Sequence, residues 1–209
     1  MLRILIADDH EIIRQAIKQI LSDEFSFVHI DEASNTEILI EKATSEPWNI
    51  ILSDMAMPGG GGLVALKKIK EKVPDVPVLF FSAYPEEQYA LRAIKAGASG
   101  YLTKDTPTDE LIKVIHRILS GKKHITPSIA EKLGLSSKGT REAPLHEQLS
   151  EREFSIFKML SSGKSISEIA ADLSLATTTV STYRARILTK MDLKTNADLT
   201  LYAIEHKLI

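Results

Sequence analysis

The chain has 209 residues, long for one small domain and comfortable for two, each able to bury a modest core. Hydrophobic residues make up 44% and charged residues 26%, a soluble and globular balance, and no apolar run approaches the length of a membrane span. The absence of Cys excludes disulfides and thiol chemistry, and no basic segment leads into an apolar run at the start, so no signal peptide is expected.

Charge is unevenly spread. Residues 1–119 hold 13 Lys/Arg against 18 Asp/Glu, residues 120–144 hold 5 against 2, and residues 145–209 hold 8 against 8. Nucleic-acid binding by so neutral a C-terminal part needs its basic groups gathered on one face.

Residues 1–119 alternate short apolar runs with helical periods. The runs are Leu2–Ala7, Phe27–Asp31, Trp48–Ser53, Pro77–Ser82 and Gly100–Thr103, and the helical patterns fall at 10–22, 35–45, 62–72, 86–96 and 107–119. In the first of these, Ile13, Ile17, Ile20 and Leu21 recur at three- and four-residue spacing. This alternation predicts βαβ units in an α/β fold. Five strands and five helices fit a flavodoxin-like, doubly wound, five-stranded parallel sheet with helices on both faces. Residues 120–148 are broken by Gly121, Pro127, Gly134, Ser136, Ser137, Gly139 and Pro144, and read as a linker with a short helix at Ser128–Leu133. Residues 149–209 read as an all-α domain of four helices, near 151–161, 166–173, 177–191 and 195–206.

Ligands of an open α/β sheet bind beyond the carboxyl ends of its strands. The predicted strands end at Asp8-Asp9, at Ser53-Asp54, at Ser82-Ala83 and just before Lys104. Three carboxylates, a hydroxyl and an ammonium are thus expected on one edge. Clustered carboxylates repel, and a hard cation with oxygen ligands, Mg²⁺ above all, compensates them. One carboxylate then serves as a nucleophile on phosphorus, with the metal and Lys104 neutralising the developing charge and Ser82 donating to a phosphoryl oxygen. The plainer alternative has Asp8 and Asp9 beginning a helix, Asp54 in a turn and Lys104 in solvent.

Four stretches carry a family resemblance: Ile6-Ala7-Asp8-Asp9-His10, Asp54-Met55-Ala56-Met57-Pro58-Gly59, Ser82-Ala83, and Lys95–Lys104. By these the chain resembles a two-component response regulator of the NarL/FixJ-like subfamily. The resemblance implies that Asp54 accepts a phosphoryl group from a phosphohistidine on a sensor histidine kinase. It implies that Asp9, Asp54 and the backbone carbonyl of Ala56 bind Mg²⁺ directly, with Asp8 acting through water. Ser82 and Tyr101 form the switch pair, and Lys104 contacts the phosphate. On phosphorylation Ser82 moves toward the new group, and Tyr101 turns inward to fill the space. Gly59–Gly62 could cradle a phosphate, but no Lys-Ser/Thr pair follows, so a flexible turn is expected. Ala56 and Tyr84 hold positions that tune dephosphorylation in the family. Neither has a carboxylate or amide to activate water, so a slowly hydrolysed phosphoaspartate is expected.

In the C-terminal part Ser150 and Glu153 form a capping-box pattern, and Gly163 is placed to end that helix. Residues 166–173 and 177–191, joined by Ser174-Leu175-Ala176, make a helix-turn-helix. On the second helix Val180, Ile187, Leu188 and Met191 can face the core. Thr178, Ser181, Thr182, Arg184, Arg186 and Lys190 are candidates for DNA contact in the major groove. Leu149, Glu153, Gly163, Glu168–Ala170, Leu173, Thr179, Val180, Ile187, Lys190, Met191 and Leu193 resemble the LuxR-type domain. Ala176 stands where that family often caps with Ser, so Thr177 is expected to cap instead. Leu199 and Tyr202 on the last helix are expected to serve dimerisation or to close the core.

The expected protein is therefore a cytoplasmic, phosphorylation-gated transcription factor, homodimeric on double-stranded DNA, with RNA polymerase a further candidate partner and no membrane contact. It is not an enzyme beyond catalysing its own phosphotransfer. A phosphatase with an Asp nucleophile would need a carboxylate two residues after Asp54, where Ala56 stands. A protein-docking receiver with a spacer domain, and a receiver indifferent to phosphate, are the remaining alternatives.

Overall fold

The computed structural model describes residues 1–137, 144–206 and 208–209, which fall into two units divided between Gly139 and Thr140. In the N-terminal unit, β1 (Leu2–Ala7), β2 (Val28–Ala33), β3 (Ile50–Ser53), β4 (Val78–Ser82) and β5 (Gly100–Thr103) form one parallel sheet in the order β2-β1-β3-β4-β5. The helices α1 (Glu11–Glu24), α2 (Thr36–Ser45), α3 (Gly62–Lys72), α4 (Glu86–Lys95) and α5 (Thr108–Leu119) alternate with them. The continuous apolar runs of the inner strands fit burial on both faces: Ile4–Ala7, Ile50–Ser53 and Val78–Ser82 are all buried. On one face Ile4, Ile6, Leu52 and Leu79 pack with Ile17 and Leu21 of α1 and with Leu111, Val114 and Ile118 of α5.

Several boundaries differ from the pattern expected, among them those of β2 and of the linker helix. Strand β2 starts and ends later, because Phe27 lies outside it, 83% exposed, while Glu32 and Ala33 complete the pairing with Ile6 and Ala7. Within the expected linker, α6 (Pro127–Ser137) is longer than the short helix foreseen and belongs to the N-terminal unit. Pro127 starts this helix, where its missing N–H costs nothing, instead of breaking structure. Ile129 is buried as α6 packs on α4, Thr126 bonds Glu86, and Lys132 Nζ donates to the Glu87 carbonyl at 3.4 Å. Residues 138–143, including Gly139, lie outside the described residues.

The C-terminal unit opens with a 3₁₀ turn (Leu145–Gln148), followed by α7 (Glu151–Ser161), α8 (Ile166–Asp172), α9 (Thr177–Lys190) and α10 (Asn196–Glu205). Three capping boxes start α7, α8 and α10, on Ser150/Glu153, Ser165/Glu168 and Thr195/Asp198. Gly163 follows α7 with φ +87, a left-handed position suited to glycine. Phe154, Ile156, Phe157, Ile169, Val180, Ile187, Met191 and Leu199 fill the core. Among the described residues no helix is long and apolar enough to cross a membrane.

Candidate functional site

The pairing register brings the acids together. Ala7 lies beside Ser53, so Asp8 and Asp54 leave the sheet side by side, and the Asp54 N–H donates to the Ala7 carbonyl at 2.7 Å. Ser82 pairs with Thr103, and the Lys104 N–H donates to the Ser82 carbonyl at 2.8 Å. Asp8 and Asp54 are 1% and 5% exposed. Lys104 Nζ bridges them, 2.6 Å from Asp8 Oδ2 and 2.9 Å from Asp54 Oδ2. The other oxygen of each accepts a backbone N–H: Asp8 Oδ1 from His10 at 2.9 Å, and Asp54 Oδ1 from Met55 at 2.6 Å. Burial alone pulls the Lys104 pKa down. The hydrogen bonds and charges of Asp8 and Asp54 outweigh it and hold the ammonium above its ordinary value.

The plainer reading of these residues is not met. The N-cap of α1 is His10, with no side-chain cap, while Asp8 and Lys104 are held inside the cluster. Ligand atoms of Asp8, Asp9, His10 and Asp54 lie within 4.8 Å of one another. Three carboxylates beside one another suit a hard divalent cation. His10, absent from the sequence-based site, sits with Nδ1 2.8 Å from Asp9 Oδ1; its place directly after Asp8-Asp9 was the available signal. Arg14 was also missed. Its Nη1 donates to the Asp8 carbonyl at 2.8 Å and its Nε to Glu32 at 3.0 Å, bracing the turn after β1. Burial pushes the Glu32 carboxyl up, but the bonds from Lys18 and Arg14 win and hold it below its ordinary value. Ala56 is exposed on the turn that follows Asp54.

The four-glycine run is a turn whose backbone needs its glycines. Gly59, Gly60 and Gly61 have φ of +93, +121 and +85, where a side chain is strained. Gly62 has no room for one: a Cβ would overlap the Asp54 carbonyl oxygen and lie 2.7 Å from the Phe80 ring. Its N–H donates to the Met55 carbonyl at 2.8 Å, tying α3 to the Asp54 turn. Tyr101 faces inward, 2% exposed, and its hydroxyl donates to the Tyr84 carbonyl at 2.9 Å. The inward position expected only after switching is thus the one this structure holds. Ser82 is buried, and its Oγ accepts the Tyr84 N–H at 3.4 Å, so both switch candidates touch the same turn after β4.

In the C-terminal unit α8 and α9 meet across a short turn in which Ser174 has φ +52. Ala176 occupies the N-cap of α9 without a side-chain bond, so Thr177 is helical and does not cap. Thr178, Ser181, Thr182 and Arg186 are exposed. Two other candidates are engaged within the unit. Arg184 Nε donates to Asn196 Oδ1 at 2.6 Å, and Lys190 Nζ lies 2.7 Å from Glu153 Oε2, so neither is an uncommitted outward cation. Leu199 and Tyr202 are 0% and 9% exposed and close the core; the exposed apolar residues of α10 are Leu201 and Ile204, each 59% exposed. Of the two expectations for Leu199 and Tyr202, closing the core is the one met, because α10 packs on α7 and buries Leu199, Tyr202 and Ala203.

Residues 4–116 match the response regulator receiver domain, and residues 147–203 match the bacterial regulatory proteins of the luxR family. The chain is 34% identical over 210 residues to the response regulator UvrY of Escherichia coli K12, covering 100% of this chain and 96% of that protein. It is 33% identical over 209 residues to the response regulator GacA of Pseudomonas protegens, covering 100% and 98%. The chain belongs to the response regulators. Its fold matches the RcsB response regulator of Salmonella typhimurium with a TM-score of 0.59 at 22% identity, covering 97% of this chain and 98% of that one. It is a receiver joined to a LuxR-type DNA-binding output domain, a transcription regulator of a family in which phosphorylation control is typical. The Lys104-bridged acids lie within the matched receiver, and α7 to α9 within the matched output domain.

Proposed function

We propose that phosphoryl transfer to Asp54 from a phosphohistidine of a sensor histidine kinase controls the binding of double-stranded DNA by the output domain. The observation that carries this reading is Lys104, held between buried Asp8 and Asp54 at the strand ends. Asp8, Asp9, Asp54 and the Ala56 carbonyl would hold Mg²⁺, which supplies neutralisation of charge on the phosphoryl oxygens. An Asp54 carboxylate oxygen bonds to phosphorus as the phosphorus–nitrogen bond breaks, and the imidazole, already protonated on its other nitrogen, leaves neutral. Lys104 then transfers its contact from the carboxylate to the phosphoryl oxygens, and Ser82 donates to one of them. Ser82 and Tyr101, joined through the Tyr84 backbone, carry the change to α4. A homodimer on DNA goes with this reading, with Leu201 and Ile204 the apolar residues of α10 left for a partner. So does a cytoplasmic location.

The test is intact-protein mass after incubation with acetyl phosphate and Mg²⁺, on the wild type and Asp54→Ala. A single phosphoryl adduct on the wild type, absent from the variant and absent without Mg²⁺, is expected. An adduct of the same yield on Asp54→Ala overturns the assignment. Followed over time, the adduct should outlast minutes, because Ala56 offers no carboxylate or amide and the Tyr84 ring is stacked on Tyr89 at 4.7 Å. Decay within seconds would contradict that expectation.

A further inference from the structure

The outward side of α9 carries methyl groups and no charge. Successive residues turn about 100° around a helix. With Val180 and Ile187 buried, the opposite side holds Thr178, Thr182, Ala185 and Thr189, all exposed. The hydroxyls of Thr182 and Thr189 on this side are engaged by the helix itself. Thr182 Oγ1 donates to the Thr178 carbonyl and Thr189 Oγ1 to the Ala185 carbonyl, each at 3.0 Å. Ser181, beside the stripe, donates to the Thr177 carbonyl at 3.0 Å. A threonine folded back in this way has no proton left for a base and turns its methyl outward. The cations at the flanks are few. Arg184 is held by Asn196 and Lys190 by Glu153, which leaves Arg186 as the exposed guanidinium of α9.

Thymine is the base that shows a methyl group in the major groove, and alanine and threonine methyls are its apolar partners there. We infer that α9 reads thymine by methyl contact: the operator places thymines beneath Thr178, Thr182 and Ala185, and guanine recognition by this helix is confined to Arg186. The inference rests on the reading that α9 is the DNA-contacting helix. It assigns base preference to residues that carry no charge, whereas a guanine-directed helix would aim arginine or lysine at O6 and N7.

The test selects duplexes from a randomised pool with the phosphorylated full chain. The best-bound duplex is then remade with deoxyuridine in place of thymine, which deletes only the methyl. The expected result is a thymine-bearing consensus in which each substitution beneath the stripe weakens binding about fourfold, the worth of one methyl. Thr182→Ser keeps the hydroxyl and deletes the protein's methyl, so it should remove most of the difference between thymine and deoxyuridine at one position. Equal binding of the two duplexes, or a consensus of guanine and cytosine alone, overturns the inference while leaving DNA binding intact. No enriched sequence at all overturns the DNA-binding reading itself.

Discussion

Each unit buries a carboxylate against a lysine at nearly the same distance. Lys104 lies 2.6 Å from Asp8 and 2.9 Å from Asp54 in the receiver, and Lys190 lies 2.7 Å from Glu153 in the output domain. Burial does not distinguish them, since Asp8, Asp54 and Glu153 are all 5% exposed or less. Their other obligations do. Glu153 also closes the capping box of α7, accepting the Ser150 N–H at 2.7 Å, so its charge is matched by a helix N-terminus and one lysine. In the receiver Asp8 and Asp54 share one ammonium, and a third carboxylate, Asp9, lies within 4.8 Å of both. That excess of negative charge suits a hard cation, and the proposed phosphoacceptor Asp54 lies within it. A matched pair braces the fold; a mismatched cluster is chemically open.

Four experiments press on this difference. The largest effect is expected where backbone, not charge, sets the receiver site. Gly62→Ala would drive a Cβ into the Asp54 carbonyl, costing about 3 kcal/mol and displacing Asp54. A lowered urea midpoint together with lost acetyl-phosphate labelling is the expected pair of results. Next, Glu153→Ala should destabilise the output domain by about 2 kcal/mol, because it leaves the Ser150 N–H and Lys190 without their acceptor. Asp54→Ala should leave receiver stability unchanged or raise it, since Lys104 keeps Asp8 and one repelling charge is gone. Equal losses in the two variants, measured by chemical denaturation, would erase the distinction.

A third experiment follows pH. Burial pushes the Glu153 carboxyl up, but the bonds from Lys190 and Ser150 outweigh it and hold its folded pKa below the ordinary 4.5. The folded value lies below the unfolded one, so this stabilisation is present above 4.5 and is lost as pH falls through the folded value. Thermal melts should show the output domain weakening on acidification below that point, and Glu153→Gln should flatten the dependence. The smallest effect concerns salt. Arg186→Ala should reduce the slope of log affinity against log salt by at most about 1, because it removes the exposed guanidinium of α9. Lys190→Met should leave that slope unchanged, because Lys190 is committed to Glu153.

Much of the fold was legible along the chain. Apolar runs and helical periods located all five strands and the helix that follows each, and Ser150/Glu153 announced the start of α7. Those signals are local: a strand's alternation, a helix's period and a cap each involve residues within a few positions. Asp8, Asp9, Asp54, Ser82 and Lys104 were legible as a set because parallel strands all end on one edge. Arg14 and the reason for Gly62 were not, since each depends on a backbone carbonyl brought close only by packing. The same holds for α6, whose proline and glycine looked like breakers until α4 offered a surface for Ile129.

The sequence by itself determined which residues are candidates for the chemistry and which segments become helix or strand. Only the tertiary structure decided which charges remain open. Glu153 and Lys190 are 37 positions apart, Arg184 and Asn196 are 12 apart, and Lys104 and Asp54 are 50 apart. No local period encodes such pairings. The physical reason is that a buried carboxylate takes whatever donors the packing delivers to it, and that delivery made a brace of Lys190 and a bridge of Lys104.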